Sequence, residues 1–454
     1  MKAAFLWLFA LIVLAPALGR AEASVLRPET SQQTFCERAE TAAAYSQIGF
    51  RFLRPGSDGW IFRDRTDFAP LRTLDSAQSK ALARFTRTLL QRGTRLIIVV
   101  PPPRGLTAAP YILAKARGAE RFNAAAIAFF HAQLLSQLRA TGAIAPDLVG
   151  AGKRDLADQR GGFANYYYRV DSHWSPLGAA SAARETGLTM QRAGLMSAAK
   201  TTPYETLILP PETGPALYRR ELISLCGPQP SAPTITHYRT ETMSADGLLG
   251  EAKSPEFTLV GTSFSNMGGR DKADFAGTLR KTLGADVSNR AMPGGGADMA
   301  MNDFLLNARW PLWPKALIWE FPPHLLPSED ALAQFEGAVV GDCPKTTLLK
   351  GESKQISVLG TPILSIKKGT LRPNASGPPV LVLQTDVRNL RKFDVLLGYD
   401  DGTSRRINFE LSPAAAAPNK YYLALPWRPE ALRDITFLHQ QPVNGKIQAR
   451  MCTR

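Results

Sequence analysis

Three short apolar runs constrain this chain most: TRLIIVV (Thr94–Val100), EFTLV (Glu256–Val260) and KALIWEF (Lys315–Phe321). Each is rich in β-branched or aromatic residues, is too short for a buried helix, and is closed by glycine or proline. Helical signals alternate with them. DSAQSKALARFTRTLLQRG is capped at Asp75 or Ser76 and stopped at Gly93, and a second helix is expected from Glu120 to Gly142. Further helices are expected over Phe275–Leu283 and Ala297–Asn307, with a short strand in ADVSNRA between them and another in AIAPDLV (Ala143–Val149). Continuous apolar strands are those buried on both faces, and alternation with helices implies a parallel sheet covered on both sides. The expected fold class is therefore α/β, with a doubly wound domain.

Beyond about Cys343 this pattern stops. SKQISV, PILSIK, PVLVLQTD, FDVLLGYDDGTSRRINFEL, KYYLAL, DITFL and GKIQARM are short strand-like runs divided by turn residues, and Asp401-Gly402 signals a hairpin. An all-β sandwich of about a hundred residues fits. At the other end, Lys2 precedes an apolar run and Ala21-Glu22-Ala23, which reads as a secretory leader cleaved before Ser24. The expected organisation is residues 1–23 as leader, 24–342 as the α/β domain and 343–454 as the sandwich.

An exported chain meets an oxidising compartment, where its four cysteines would pair. None forms CxxC, and the pairing Cys36–Cys226 with Cys343–Cys452 is preferred because each bridge then staples one half of the chain. The formal net charge is +15, and removal of the leader lowers it by one. Outside the cytoplasm such a charge suits an acidic polysaccharide or an anionic membrane surface, and nucleic acid is not expected; a merely solubilising charge is the alternative.

The chemistry-bearing residues sit in two places. In NYYYRVDSHWSPLGAAS (Asn165–Ser181), Ser175-Pro176 starts a helix, so Asp171 and His173 lie in extended chain before it and point the same way. Asp171 can hold one ring nitrogen of His173 and leave the other as a base, with Trp174 walling the site. In FTLVGTSFSNMGG, Ser263 follows a buried strand at a strand-to-helix turn, where unpaired helical N–H groups point outward. Each residue also has a bland reading: Ser263 as a helix cap, His173 as a half-buried structural side chain. Thr262 and Ser265 compete for the nucleophile. His131, His237, His324 and His439 lack an acid at comparable spacing. No HExxH or cysteine cluster is present, so no metal is expected. NRAMPGGG (Asn289–Gly296) is neither a P-loop nor GxGxxG, but can bring the N–H of Gly294 or Gly295 to an oxyanion. Glu320 or His324, in WEFPPH, would border the same cleft.

Together these pieces resemble the SGNH family of serine esterases and acetyltransferases. The nucleophile turn reads Gly261-Thr262-Ser263, the glycine block Pro293–Gly296, and the acid–base pair Asp171-Ser172-His173. The pair precedes the serine, its spacing is one shorter than the family's Asp-x-x-His, and EFPPH stands where Gly-x-Asn-Asp is usual. With GWIFRD, DSHWSPLGA, GTSFS, the leader and the β-rich end, the chain resembles the alginate O-acetyltransferases of the AlgX/AlgJ kind, and its β-module and cysteine placement side with the AlgX type. The resemblance implies an SGNH hydrolase-like domain with permuted triad order Asp171, His173, Ser263, oxyanion donors at Ser263 and Gly294 or Gly295, and a C-terminal carbohydrate-binding module. It implies a periplasmic O-acetyltransferase that moves acetyl groups through an acetyl-serine onto an anionic exopolysaccharide such as alginate mannuronate. A membrane acetyl carrier and other exopolysaccharide export proteins would be partners, and no cofactor is implied. Charge and stacking chemistry alone nominate Trp174, Arg388, Arg391, Lys392, Arg405, Arg406 and Trp427 as substrate contacts. An acetyl-ester hydrolase using the same residues, or a non-catalytic polysaccharide-binding scaffold, are the alternatives.

Overall fold

The computed structural model describes residues 33–195, 202–243, 255–267, 272–307, 313–342, 346–358, 360–371, 377–413, 416–441 and 443–453. The expected leader, residues 1–23, lies outside them. After three short 3-10 turns between Glu37 and Phe50 comes a small antiparallel hairpin, β1 (Leu53–Pro55) and β2 (Ile61–Arg63). Helix α1 (Ser76–Gln91) follows, closed by a capping box: Asp75 accepts from the Gln78 backbone N–H at 2.8 Å, and Gln78 Oε1 accepts from the Asp75 N–H at 3.0 Å.

The three apolar runs become the centre of one parallel sheet. They are β3 (Arg95–Val99), β4 (Phe257–Val260) and, after the short β5 (Val287–Asn289), β6 (Ala316–Glu320). The strand order is β3-β6-β4-β5, and every pair is parallel. Side chains alternate between two cores, as strand geometry requires. Ile97, Val99, Phe257, Leu259 and Ile318 join one core, and Leu96, Ile98, Val260, Leu317 and Trp319 the other. Helices cover both faces, so the doubly wound expectation holds.

Two boundaries differ from the sequence reading. The second helix, α2 (Ala124–Ala140), starts four residues late because the Asn123 side chain caps it, accepting from Ala126 N–H at 2.9 Å. The strand expected over Ala143–Val149 shrinks to a single bridge, Ile144 to Ile97. Pro146 has no N–H to continue a ladder, and Asp147 caps the helix α3 (Leu148–Asp155) by accepting from Val149 and Gly150. Next come α4 (Pro176–Arg192), α5 (Leu217–Cys226), α6 (Phe275–Leu283), α7 (Asp298–Asn307) and α8 (Glu329–Val340).

The C-terminal part is a two-sheet sandwich. One sheet runs β7 (Thr346–Lys350), β14 (Lys446–Thr453), β9 (Val380–Thr385), β12 (Lys420–Ala424); the other runs β8 (Thr361–Ser365), β13 (Leu432–Leu438), β10 (Lys392–Tyr399), β11 (Ser404–Glu410). The Asp401-Gly402 hairpin joins β10 to β11, with Gly402 at φ 81°. Helix α8 lies between sandwich and α/β layer and is buried throughout from Ala331 to Val340. It comes close enough to β12 that a Cβ on Gly337 would sit 2.8 Å from Leu423 N.

Cys36 and Cys226 are bonded, with their Cα atoms 5.5 Å apart. Cys452 is disulfide-bonded as well. Cys343, the partner expected for it, lies outside the described residues.

Candidate active site

Asn165–Ser175 forms a narrow hairpin ahead of α4. Tyr168 N–H donates to His173 O at 3.1 Å, Ser175 N–H donates to Tyr166 O at 2.9 Å, and Tyr167 bridges to Trp174. Ser175 also caps α4, accepting from Gly178 N–H at 3.2 Å. Asp171 therefore sits in a bend, and its carboxylate folds over its own backbone. Oδ1 accepts the His173 backbone N–H at 3.1 Å and lies 2.6 Å from His173 Nδ1. The pair meets through an Asx-type turn and not through same-side projection from extended chain, which corrects the sequence reading. Oδ2 accepts the N–H of Leu217, the first residue of α5, at 2.8 Å. Burial works against the Asp171 charge. Electrostatic attraction to the His173 ring and the hydrogen bonds from His173 and Leu217 outweigh it and hold the carboxyl below its usual range.

The second half of the site follows β4. Gly261 to Asn266 form a turn in which Ser265 N–H donates to Thr262 O at 3.2 Å. Helix α6 does not begin until Phe275. Ser263 thus lies in a free-standing turn, not in the first turn of a helix as expected. A carboxylate takes the helix's place as organiser. Glu320 ends β6, is wholly buried beneath the turn, and its Oε2 accepts from Thr262 N–H at 2.9 Å and from the hydroxyls of Thr262 and Ser265 at 3.1 Å each. Thr262 and Ser265, the rival nucleophiles, are thereby engaged as donors behind the turn. A Cβ on Gly261 would come within 2.7 Å of Glu320 Oε2, so glycine is needed for this close approach. Burial raises the Glu320 pKa to about 7 against the opposing hydrogen bonds.

The Ser263 hydroxyl is left facing the other way, 2.7 Å from His173 Nε2. Asp171, His173 and Ser263 thus form one hydrogen-bonded chain, able to polarise a serine oxygen. The Ser263 N–H has no acceptor among the described residues. Of the two glycines named as further donors, Gly294 lines the cavity over Ser263, together with Gly296. Gly295 does not; its Cβ position faces Met299 at 2.8 Å. Two asparagines tie the turns together: Asn289 Nδ2 donates to Ser265 O at 2.9 Å, and Asn266 Nδ2 donates to Ala291 O at 2.8 Å.

This cavity is about 1040 Å³, at the large end for a small-ligand site. Its walls include Phe50, Leu217, Phe264 and Met267, and His324 stands at its edge. Among the described residues Asp171 is the one acid lining it, against Arg63, Arg219, Arg220 and Lys272. No cluster of metal-ligating side chains occurs among the described residues.

Trp174, expected to wall the site, is wholly buried and does not line the cavity. It buttresses Ser263 from behind, donating its indole N–H to Phe264 O at 2.8 Å and stacking on Phe275. The sandwich candidates divide. Arg388, Arg391 and Lys392 line a separate groove of about 420 Å³ with His439 and Gln441. Arg405 is not free for substrate: it pairs with Glu329 and Asp330 of α8 at 2.7 and 2.6 Å and stacks over Trp427. Arg406 pairs with Asp394. Sequence reasoning did not name Leu217, Asn266, Asn289 or Arg63 and left Glu320 open. Only GWIFRD, cited for the family resemblance, contains Arg63.

The chain is 27% identical over 442 residues to the alginate biosynthesis protein AlgX of Pseudomonas putida, covering 92% of this chain and 89% of that one. It is 31% identical over 298 residues to the probable alginate O-acetylase AlgJ of Azotobacter vinelandii, covering 62% of this chain and 71% of the relative. The solved structure of Pseudomonas aeruginosa AlgX superposes with a TM-score of 0.72 at 22% identity, covering 92% of this chain and 98% of that one. The family model described as SGNH hydrolase-like domain, acetyltransferase AlgX, matches residues 53–323, which include both the Asp171–His173 hairpin and the Ser263 turn, and the chain belongs to that family.

Proposed function

We propose that this protein is a periplasmic O-acetyltransferase that modifies an anionic exopolysaccharide through an acetyl-Ser263 intermediate. The observation that carries this reading is the contact of His173 Nε2 with Ser263 Oγ, 2.7 Å, inside a cavity with cationic walls. His173 takes the Ser263 proton as Oγ attacks the acetyl carbonyl of the donor. The N–H groups of Ser263 and Gly294 face the oxyanion, and collapse expels the donor's leaving group, which takes the proton back from His173. A sugar hydroxyl then loses its proton to His173 and attacks the acetyl-serine, which leaves the ester on the sugar and the proton on Ser263. Asp171 holds the ring tautomer and stabilises the imidazolium.

The names of the relatives, alginate biosynthesis protein and alginate O-acetylase, support alginate mannuronate as the acceptor. A membrane-embedded carrier is the donor in this reading, other exopolysaccharide export proteins are the partners, and the sequence of the leader supports the compartment. The sandwich groove beside Arg388 and Arg391 serves as a further contact for the polymer.

The test uses a labelled acetyl donor and mannuronate oligomers, followed by mass spectrometry. Label should appear on the peptide containing Ser263 and then on sugar, and Ser263→Ala should abolish both. Label found only as free acetate would make the protein an ester hydrolase, and full polymer acetylation by Ser263→Ala would sink the assignment.

A further inference from the structure

Arg63 ends β2 and lines the cavity. The nearby carboxylate of Asp67 is already engaged: it accepts the Arg63 backbone N–H at 2.7 Å and the Arg104 guanidinium at 3.0 Å. The Arg63 guanidinium itself keeps one hydrogen bond, from Nη1 to Gly49 O at 3.1 Å, and lies 5.9 Å from the Tyr218 ring centroid. Its Nε is buried without a partner, and no described carboxylate pairs with it. The edge left without a protein partner, Nε with Nη2, is of the kind that grips both oxygens of a carboxylate at once.

The position matters as much as the charge. A second, smaller space is lined by Arg63, Asp67, Arg104, Ser172, Phe264 and His324. Arg63 therefore shares the lining of both spaces with Ser172 and Phe264, the neighbours in sequence of His173 and Ser263. The other cations are less suited. Arg219 donates to the carbonyls of Pro230 and Gln229, Lys272 faces Glu212 at 3.9 Å, and Arg220 is exposed at the rim.

We propose that Arg63 reads the acceptor, binding the carboxylate of the uronate unit whose hydroxyl is presented at Ser263. This rests on the acceptor reading above. A partly buried cation with no protein anion is costly to leave unpaired, and a ligand carboxylate would supply the missing charge. Arg63 then selects an acidic sugar over a neutral one of the same shape, at the reacting unit itself.

The test compares kcat/KM for acetyl transfer from p-nitrophenyl acetate onto mannuronate oligomers and onto the same oligomers with their carboxylates reduced to alcohols. Wild-type protein should favour the acidic oligomer. Arg63→Met, which keeps the stem but not the charge, should lower that preference by about 10- to 100-fold. Arg63→Lys should keep part of it, as a point charge without the two-pronged edge. A preference ratio unchanged in both variants, whatever their absolute rates, overturns the role of Arg63 alone. Wild-type protein that transfers equally well to both oligomers also overturns it. Wild-type protein that acetylates neither oligomer overturns the acceptor reading and the role of Arg63 with it. Should Arg63→Met melt at the assay temperature, the Arg63→Lys ratio and the wild-type comparison still decide.

Discussion

The cleft and the part of the C-terminal sandwich outside the Arg388–Arg391 groove are both basic, but their cations are held differently. In the sandwich, Arg405 is clamped by Glu329 and Asp330, Lys392 meets Glu410 at 3.0 Å, and Arg428 meets Asp401 at 2.7 Å. In the cleft, Arg63 and Arg220 have no carboxylate partner among the described residues. A paired guanidinium has its field cancelled and its geometry fixed, so it offers little to a polymer. An unpaired one beside an apolar wall offers both charge and donors. The net charge of +15 therefore says less than its distribution does. Arg405 looked like a ligand contact in composition and is a joint in the structure; Arg63 looked like nothing and lines the cavity that holds the candidate nucleophile.

The contrast can be broken at several points. The largest expected effect is in the cleft. Asp171→Asn should slow acetylation of Ser263 by about 10³- to 10⁴-fold with the fold intact, because the histidine tautomer is lost; a single-turnover measurement on the Ser263 peptide checks it. Glu320→Gln should come next, about 10²-fold, since it loosens the turn that aims the hydroxyl. The stability of this variant should respond to pH differently from that of the wild type. The folded Glu320 pKa, about 7, lies above its ordinary value of 4.5. The ionised form is thus disfavoured in the fold, and wild-type stability falls between those two pH values. The Gln variant should escape that fall, a difference of up to about 3 kcal/mol by pH 8. Parallel melting curves of the two proteins from pH 4 to 8 would show no such divergence if Glu320 titrated normally.

In the sandwich the effects should shrink. Arg405→Ala should lower stability by about 1 kcal/mol, given its partial exposure, and leave serine acetylation running. Loss of acetylation in that variant would mean that the α8 joint controls the cleft. Lys392→Ala breaks an exposed pair and should leave the melting temperature within error. A large shift there would erase the distinction between the two surfaces.

What the sequence revealed follows the range of the interactions. The core strands were legible because burial on both faces writes an unbroken apolar run. Helix α8 was not, because a helix buried all round carries no stripe to read. The identity of Asp171 and His173 was legible from spacing, but their geometry was not, since it depends on Ser175 closing a hairpin with Tyr166. Glu320 reaches Thr262 across 58 residues, Leu217 reaches Asp171 across 46, and Glu329 reaches Arg405 across 76. Contacts at such separation are set by strand order and domain packing, which no local pattern encodes.

Helix α5 joins two features described separately. Its first N–H holds Asp171, and its last residue, Cys226, is bonded to Cys36 near the start of the described chain. The acid of the candidate triad is therefore tethered to a covalent link that closes only after Cys226 has been made and the thiols have been oxidised. In a reducing environment the tether opens, and helix α5 is left to packing alone. The bridge and the acid of the candidate triad therefore share one rigid element, helix α5, which carries the effect of either on the other. Double replacement of Cys36 and Cys226 by serine should lower both stability and the rate of serine acetylation, the former by about 2–4 kcal/mol.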